Sequence, residues 1–233
     1  WTAPAAGITK IDADLLPPEA YLGVAGLTGM TAYVGIKRMI ELKDGETLWM
    51  SAGAGAVGSA GIQFAKALGA QVIATAGGEE KTAFCTEIGA DAVVDYKAVD
   101  DLAGAVRDAA KPFGGVDAYF ENVGGDHLQA ALDVIKPFGR IAACGMIARY
   151  NDDTPLPGPT NLTQIVAKKL TIRGFIAPDH FDIYESFVAD LSSWMMAGKV
   201  KTRDTVYEGI DKTPEAFMGL FTGQNIGKML VKL

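Results

Sequence analysis

Short apolar runs bounded by Gly, Asp or Pro alternate with longer stretches of helical period along most of the chain. Residues 47–51, 71–76, 92–96, 116–121, 140–145 and 170–175 have the β-branched or apolar, bounded character of buried strands. Between them, Ile62, Phe64, Ala65 and Leu68 are spaced for a packed helix that stops at Gly69. Residues 79–88 predict a helix closed by Gly89, and residues 99–110 a helix with acidic residues at its start. Residues 127–135 predict a helix ended by Pro137; after a Pro-rich loop at 151–159, a further helix lies around 162–168. Such alternation implies a doubly wound, six-stranded parallel α/β sheet of the Rossmann type with right-handed crossovers.

The two ends have a different character. Residues 1–21 are rich in Ala and Pro and read as a connecting arm, and residues 23–40 predict a helix ending near Gly45. In the tail, Phe187, Leu191 and Trp194 fall at helical spacing over 183–197, where core packing explains the aromatic stripe. Residues 204–208, 214–221 and 228–233 then predict strand, short helix and strand. These pieces do not extend the alternation and are expected in another layer or domain.

The turn after the first strand carries Gly53, Gly55 and Gly58, a full G-x-G-x-x-G that leaves a strand and opens a helix. Such a turn lets backbone N–H groups approach a pyrophosphate, with the helix N-terminus supplying partial positive charge. In a chain with 28 Gly the hexapeptide alone is a weak signal, and a tight turn without a ligand is the alternative. Methyltransferases also use a Gly-rich first turn, with an acidic residue beside it. Residues 49–58 contain neither Asp nor Glu, which disfavours that class.

With 21 basic and 28 acidic residues the net charge is −7, which argues against nucleic acid or an anionic membrane as partner. An anion site must then be local, built from helix ends and a few lysines. Two cysteines, Cys85 and Cys144, are too few for a disulfide framework and fit a reducing cytoplasm. With His127 and His180 the only histidines, no metal site is expected. No segment is apolar for long enough to span a bilayer, and no signal-peptide pattern is present.

The end of the second strand decides between coenzymes. An acid about 20 residues after the glycine motif would grip the ribose hydroxyls of NAD and repel a phosphate there. Residues 74–78 read Ala-Thr-Ala-Gly-Gly, with no acid, and Lys81 follows in the first turn of the next helix. Glu79 and Glu80 read as first-turn charges complementing the helix dipole. NADP(H) is therefore the expected coenzyme, the alternative for Lys81 being an ordinary solvated lysine.

Several segments together resemble a known family. They are Gly-Leu-Thr-Gly-Met-Thr-Ala-Tyr at 26–33, Gly-Ala-Val-Gly-Ser at 55–59, Gly-Glu-Glu-Lys at 78–81, Asp-Tyr-Lys at 95–97, Phe-Glu-Asn-Val-Gly-Gly at 120–125, Phe-Gly-Arg-Ile at 138–141, Cys-Gly-Met-Ile at 144–147, Tyr-Asn at 150–151 and Gly-Lys at 227–228. On these the chain resembles the zinc-independent medium-chain dehydrogenase/reductases, in the branch of leukotriene hydroxydehydrogenases, prostaglandin reductases and alkenal reductases. Zinc-dependent relatives place a cysteine near the turn at 26–31, and none stands there.

The resemblance implies a cytoplasmic, dimeric reductase that passes hydride from NADPH to the β-carbon of an α,β-unsaturated ketone or aldehyde. It implies that Gly55, Ala56, Val57 and Gly58 hold the pyrophosphate, Gly53 supporting the same turn, while Lys81 and Tyr96 meet the ribose phosphate and Asn122 lies beside the coenzyme. Cys144, Gly145, Met146, Ile147 and Tyr150, with Phe175, Ile176 and Ala177, would line the nicotinamide side. Thr31 and Asn225 would complete the pocket. Conjugate hydride addition builds negative charge on the carbonyl oxygen and needs a proton at the α-carbon, and the Tyr150 phenol suits either task; packing is its alternative role. Asn122 suits a ribose or amide contact or a turn before Gly124. Cys144 reads as a small filler rather than a nucleophile, with nothing adjacent in sequence to activate it.

Family members carry a GroES-like, β-rich catalytic domain before the segment that begins at Trp1. On this resemblance residues 1–23 are an arm from that domain, 24–204 the dinucleotide-binding domain, and 205–233 a segment returning to the catalytic domain. A partial or processed product is expected. The alternative functions are a quinone reductase of the same superfamily and a nucleotide-binding or sensing module without turnover.

Overall fold

The computed structural model describes residues 10–14, 16–151, 153 and 157–233, so the first nine residues of the expected arm and part of the Pro-rich loop at 151–159 lie outside the described residues. Six parallel strands form one sheet in the order β3-β2-β1-β4-β5-β6. They are β1 (Thr47–Met50), β2 (Gln71–Ala76), β3 (Ala92–Asp95), β4 (Val116–Glu121), β5 (Ile135–Ala143) and β6 (Thr171–Gly174). The order reverses between β1 and β4, both of which start from the middle of the sheet. This is the doubly wound arrangement in which a ligand crevice opens beyond the carboxyl ends of the central strands.

Alternation along the central strands sends side chains to two cores. From β1, Leu48 and Met50 join the core that also holds Ile36, Phe64, Phe187 and Trp194. Trp49 points the other way, to Tyr119, Ile73, Val106 and Leu132. Helices α1 (Leu27–Val34), α2 (Ala56–Ala67) and α7 (Tyr184–Met196) serve the first face, and α4 (Leu102–Ala110) and α5 (Asp126–Val134) the second. Phe187 is fully buried among Tyr33 at 5.4 Å and Phe64 at 6.4 Å between ring centroids, so the tail's aromatic stripe is core, as its spacing implied. Burying a side chain of that size contributes about 1.5–3 kcal/mol.

Three boundaries differ from the sequence expectation. The first helix is not continuous over 23–40: α1 ends at Val34 and residues Gly35–Ile40 continue as a π-helical turn. That turn seats Gly35 against the Phe120 ring, 2.2 Å from Cε2 to an added Cβ, a separation no side chain permits. The helix expected from residue 99 begins at Leu102, because Asp101 stands outside it as the cap, its Oδ1 accepting from Gly104 N at 2.8 Å. Strand β5 begins at Ile135, earlier than expected. Its register with β4 jumps from Val116↔Ile135 to Ala118↔Arg140, and Pro137 falls in the interruption, where its missing N–H costs no ladder bond.

The remaining elements are α3 (Glu79–Glu87), α6 (Thr163–Ala167), β7 (Asp204–Glu208), α8 (Thr213–Thr222) and β8 (Lys228–Lys232). Strands β7 and β8 pair in parallel with each other, apart from the six-stranded sheet. An isolated β-bridge between Gly55 and Gly227 brings the tail onto the glycine turn.

Candidate functional site

The three glycines after β1 do different work. Gly53 donates to Thr75 O at 2.9 Å, and a Cβ there would lie 2.9 Å from Ala74 Cβ and 3.0 Å from Cys85 Sγ. At Gly58 a Cβ would lie 2.2 Å from Ala52 O, so close packing of α2 onto the turn requires glycine. Gly55 is different: its Cβ position meets only Ala52 O, at 3.3 Å, and otherwise faces open space. Helix α2 starts there with Gly55 as its cap, no side-chain cap bond and no acid in the first turn. The leading N–H groups of Ala56, Val57 and Gly58 therefore form a positive, uncapped end beside an open face, which fits a pyrophosphate.

The tail closes one side of this turn. Gly227 N donates to Ala54 O at 2.8 Å. Thr205 Oγ1 accepts from Ile226 N and donates to Ile226 O, both at 2.9 Å, and Asn225 Nδ2 donates to Gly227 O at 3.0 Å. Asn225 is thereby brought to the glycine turn from 167 positions beyond Gly58, the difference between the two numbers.

Asp95, the last residue of β3, staples the turn after β2 to the turn after its own strand: its carboxylate accepts from Gly78 N at 3.1 Å and from Lys97 N at 2.9 Å. Tyr96 N donates to Ala76 O at 3.1 Å. Lys81 projects from the first turn of α3 and donates from Nζ to Gly223 O at 2.5 Å. Burial, and then the nearby Lys97 charge, push the Lys81 pKa below that of an ordinary lysine. The acid that would mark an NAD site is absent; Glu80 turns instead to Arg203 at 3.1 Å. The exposed Tyr96 ring meets His127 edge-on at 5.2 Å, and burial lowers the His127 pKa to about 4, so the imidazole is neutral near pH 7.

The crevice between β1 and β4 is stitched by Ser51 and Asn122. Asn122 N donates to Ser51 Oγ at 2.9 Å, and its Nδ2 donates to Ser51 O at the same distance. Beneath them the buried Glu121 Oε1 accepts from Tyr119 OH at 2.9 Å, Val123 N at 2.6 Å and Gly124 N at 2.8 Å. Burial raises the Glu121 pKa against the lowering effect of those donors. The segment after β5 folds over this loop: Gly145 N donates to Glu121 O at 3.1 Å, Ile147 N to Asn122 O at 3.2 Å and Ala148 N to Val123 O at 3.0 Å.

Tyr150 stands at the end of a short 3-10 turn, Ile147–Arg149, and is 62% exposed, with its hydroxyl accepting from Met146 N at 3.2 Å. Its phenolic proton remains available to donate. Cys144 is half-buried and its thiol is pushed up to about 11, chiefly by burial and then by Glu121, so it is no nucleophile at neutral pH. Phe175 packs edge-on to Phe120 at 6.2 Å, Ala177 is buried and Ile176 exposed. Thr31 donates its hydroxyl to Leu27 O of its own helix at 2.7 Å. The glycine turn, Lys81, Tyr96, Asn122, the 144–150 segment and 175–177 thus all lie at the carboxyl edge of one sheet.

Sequence reasoning missed Ser51, Asp95, Lys97 and Glu121 as parts of this edge. Glu121 and Ser51 left a trace, polar residues closing otherwise apolar strands. Lys97 left none. Among the described residues no three His, Cys, Asp or Glu side chains form a group able to hold a metal ion. No helix among them is long and apolar enough to cross a membrane.

Residues 56–193 match the zinc-binding dehydrogenase family. Prostaglandin reductase 1 of Mus musculus is 40% identical over 230 residues, which cover 97% of this chain and 69% of that protein. The NADP(+)-dependent 2-alkenal reductase of Nicotiana tabacum is 39% identical over 229 residues, 98% of this chain and 66% of that protein. CurA of Vibrio vulnificus, solved in complex with NADPH, superposes with a TM-score of 0.86 at 37% identity, over 92% of this chain and 65% of that one. The chain thus spans roughly two thirds of the length of these relatives. Glycine turn, strand order and identity at this level agree, and the chain belongs to the medium-chain dehydrogenase/reductases, on the branch of the prostaglandin and 2-alkenal reductases.

Proposed function

We propose that this chain carries the coenzyme-binding part of an NADPH-dependent reductase acting on the C=C bond of α,β-unsaturated ketones and aldehydes. The observation that carries the coenzyme reading is the pairing of an uncapped, acid-free α2 N-terminus at an open Gly55 with a basic turn at the end of β2. The enone reading rests on the similarity to the prostaglandin and 2-alkenal reductases. When bound, NADPH supplies the hydride.

The chain's own residues have separate tasks. Ala56, Val57 and Gly58 N–H groups bind the diphosphate, and Lys81 with Tyr96 binds the ribose phosphate. Ser51 orients Asn122 at the crevice, and the Glu121-braced loop holds the 144–150 segment above it. Tyr150 has a free phenolic proton to offer the carbonyl oxygen as charge develops there, or the α-carbon afterwards. The same reading needs no metal in the chemistry, and among the described residues no three His, Cys, Asp or Glu side chains form a group able to hold one.

Two accompanying proposals follow. The free thiols of Cys85 and Cys144 suit a reducing compartment, the cytoplasm. Strand β6 is exposed at every residue and forms one end of the sheet, which suits pairing with a second copy.

The test is NADPH oxidation with a small enone and with a quinone, for this chain and for the chain joined to the N-terminal third of a relative. Enone-dependent oxidation in the joined protein is expected. Preference for the quinone would reassign the substrate, and tight NADPH binding with turnover of neither would favour a binding module.

A further inference from the structure

Lys97 has an unexplained position. Its side chain lies across the end of β2: a Cβ on Gly77 would stand 2.9 Å from Lys97 Cε and 2.9 Å from Tyr96 Cζ. Only hydrogen at position 77 lets both side chains close over this turn. Main-chain bonds hold the closure, with Lys97 N on Asp95 Oδ1 and Gly78 N on Asp95 Oδ2. The Lys97 ammonium has no ion-pair partner among the described residues. It also stands near enough to Lys81 for its charge to depress the Lys81 pKa.

The Lys97 ammonium over Gly77 and the Lys81 ammonium at Gly223 O, in the first turn of the next helix, repel each other, and an anion bound by both reverses the sign of that interaction. The net charge of −7 makes this local excess of positive charge the more distinctive. We propose that Lys97 is a second phosphate-binding, coenzyme-selecting residue, closing with Lys81 and Tyr96 on the 2′-phosphate of NADPH, and that Gly77 is the position that admits it. The inference rests on the NADPH reading above and adds a residue to it.

A lysine at the phosphate separates the two coenzymes, whereas a solvated lysine does not. Dissociation constants for NADPH and NADH are measured by calorimetry on the chain, Lys81→Ala, Lys97→Ala, Lys97→Arg and Gly77→Ala. Lys97→Ala is expected to weaken NADPH about tenfold and NADH by less than about twofold, in line with the removal of one charge-assisted hydrogen bond at an exposed site. Lys97→Arg should restore most of the affinity. Gly77→Ala, which displaces Tyr96 and Lys97 while leaving Lys81 in place, should reproduce the Lys97→Ala preference. The salt dependence of NADPH binding should flatten in Lys97→Ala, since one fewer charge is screened.

An unchanged NADPH to NADH ratio in Lys97→Ala, while Lys81→Ala collapses it, overturns the role of Lys97 and leaves the NADPH reading standing. Equal weakening of both coenzymes also overturns it, because the residue would then serve the turn's shape. If the unaltered chain binds neither coenzyme, the NADPH reading fails and this inference with it.

Discussion

At the scale of single residues, His127 joins the candidate site to stability. It is only 6% exposed, its Nε2 has no hydrogen-bond partner, and burial holds its pKa at about 4 against an ordinary 6.5. The unfolded chain therefore takes up the proton first. Stability from the neutral imidazole is present above pH 6.5 and is lost as pH falls towards 4. The loss across that window is as much as roughly 3 kcal/mol. Glu121 slopes the other way, since its raised pKa favours the fold at acid pH and weakens it as pH rises. The comparison that isolates His127 is thus His127→Leu against the unaltered chain, where the Glu121 contribution cancels. Urea midpoints that fall in parallel between pH 7 and 4.5 in both proteins would contradict the assignment; a flatter profile in His127→Leu is expected.

Lys97 illustrates why some of the site was invisible in the sequence. Its Asp-Tyr-Lys segment was legible as part of the resemblance, but an exposed lysine there has no periodicity that assigns it a role, and the Asp95 staple brings it to Gly77. Gly53, Gly55 and Gly58 were legible because each constraint is local: one turn, one strand and one helix start, all within six positions.

Among the elements, α7 ties the tail into the core of the first face through Phe187, Leu191 and Trp194. Phe187 and Trp194 project from it to Tyr33 of α1 and Phe64 of α2, with Phe64 and Trp194 centroids at 5.1 Å. Because α2 begins at the glycine turn, loosening this layer also loosens the turn proposed to hold the pyrophosphate. Phe187→Ala should lose about 3–5 kcal/mol in denaturant unfolding. NADPH affinity should fall with it at temperatures where the native state is otherwise populated. Loss of stability with unchanged coenzyme affinity would show that α7 and the glycine turn are uncoupled.

The helix boundaries show where local signals give way. Asp100 and Asp101 read as first-turn acids, yet Asp101 is worth more as the cap outside α4, because its carboxylate satisfies an otherwise orphaned N–H. Residues 35–40 have helical spacing, but fitting Gly35 against Phe120 widens that turn to a π-helix. Neither outcome is contained in periodicity, since each is decided by one contact.

For the molecule as a whole, the open question is assembly. Strand β6 is exposed along its length, with Val166 and Ile176 exposed on either side of it and Ile172 40% exposed within it. An open sheet edge with unpaired main-chain groups is a site for pairing with another chain unless covered. Sedimentation of the unaltered chain at micromolar concentration is expected to give a dimer. Ile172→Lys, which sets charge against its own copy across a two-fold axis, should shift it to monomer with coenzyme binding retained. A monomer without the substitution would remove the pairing proposal.

The amino-acid sequence alone determined the six strands of the main sheet, the parallel doubly wound class, the glycine turn that opens α2 and the lack of an acid at the end of β2. These depend on neighbours within a few positions, where side-chain period, glycine and charge act directly. Tertiary structure alone decided that Ser51 meets Asn122 across 71 positions, that Asn225 returns to the glycine turn, and that Lys97 closes over Gly77. Those contacts are set by how crossovers return strands to one edge, and strand order is a property of the packed sheet rather than of any segment within it.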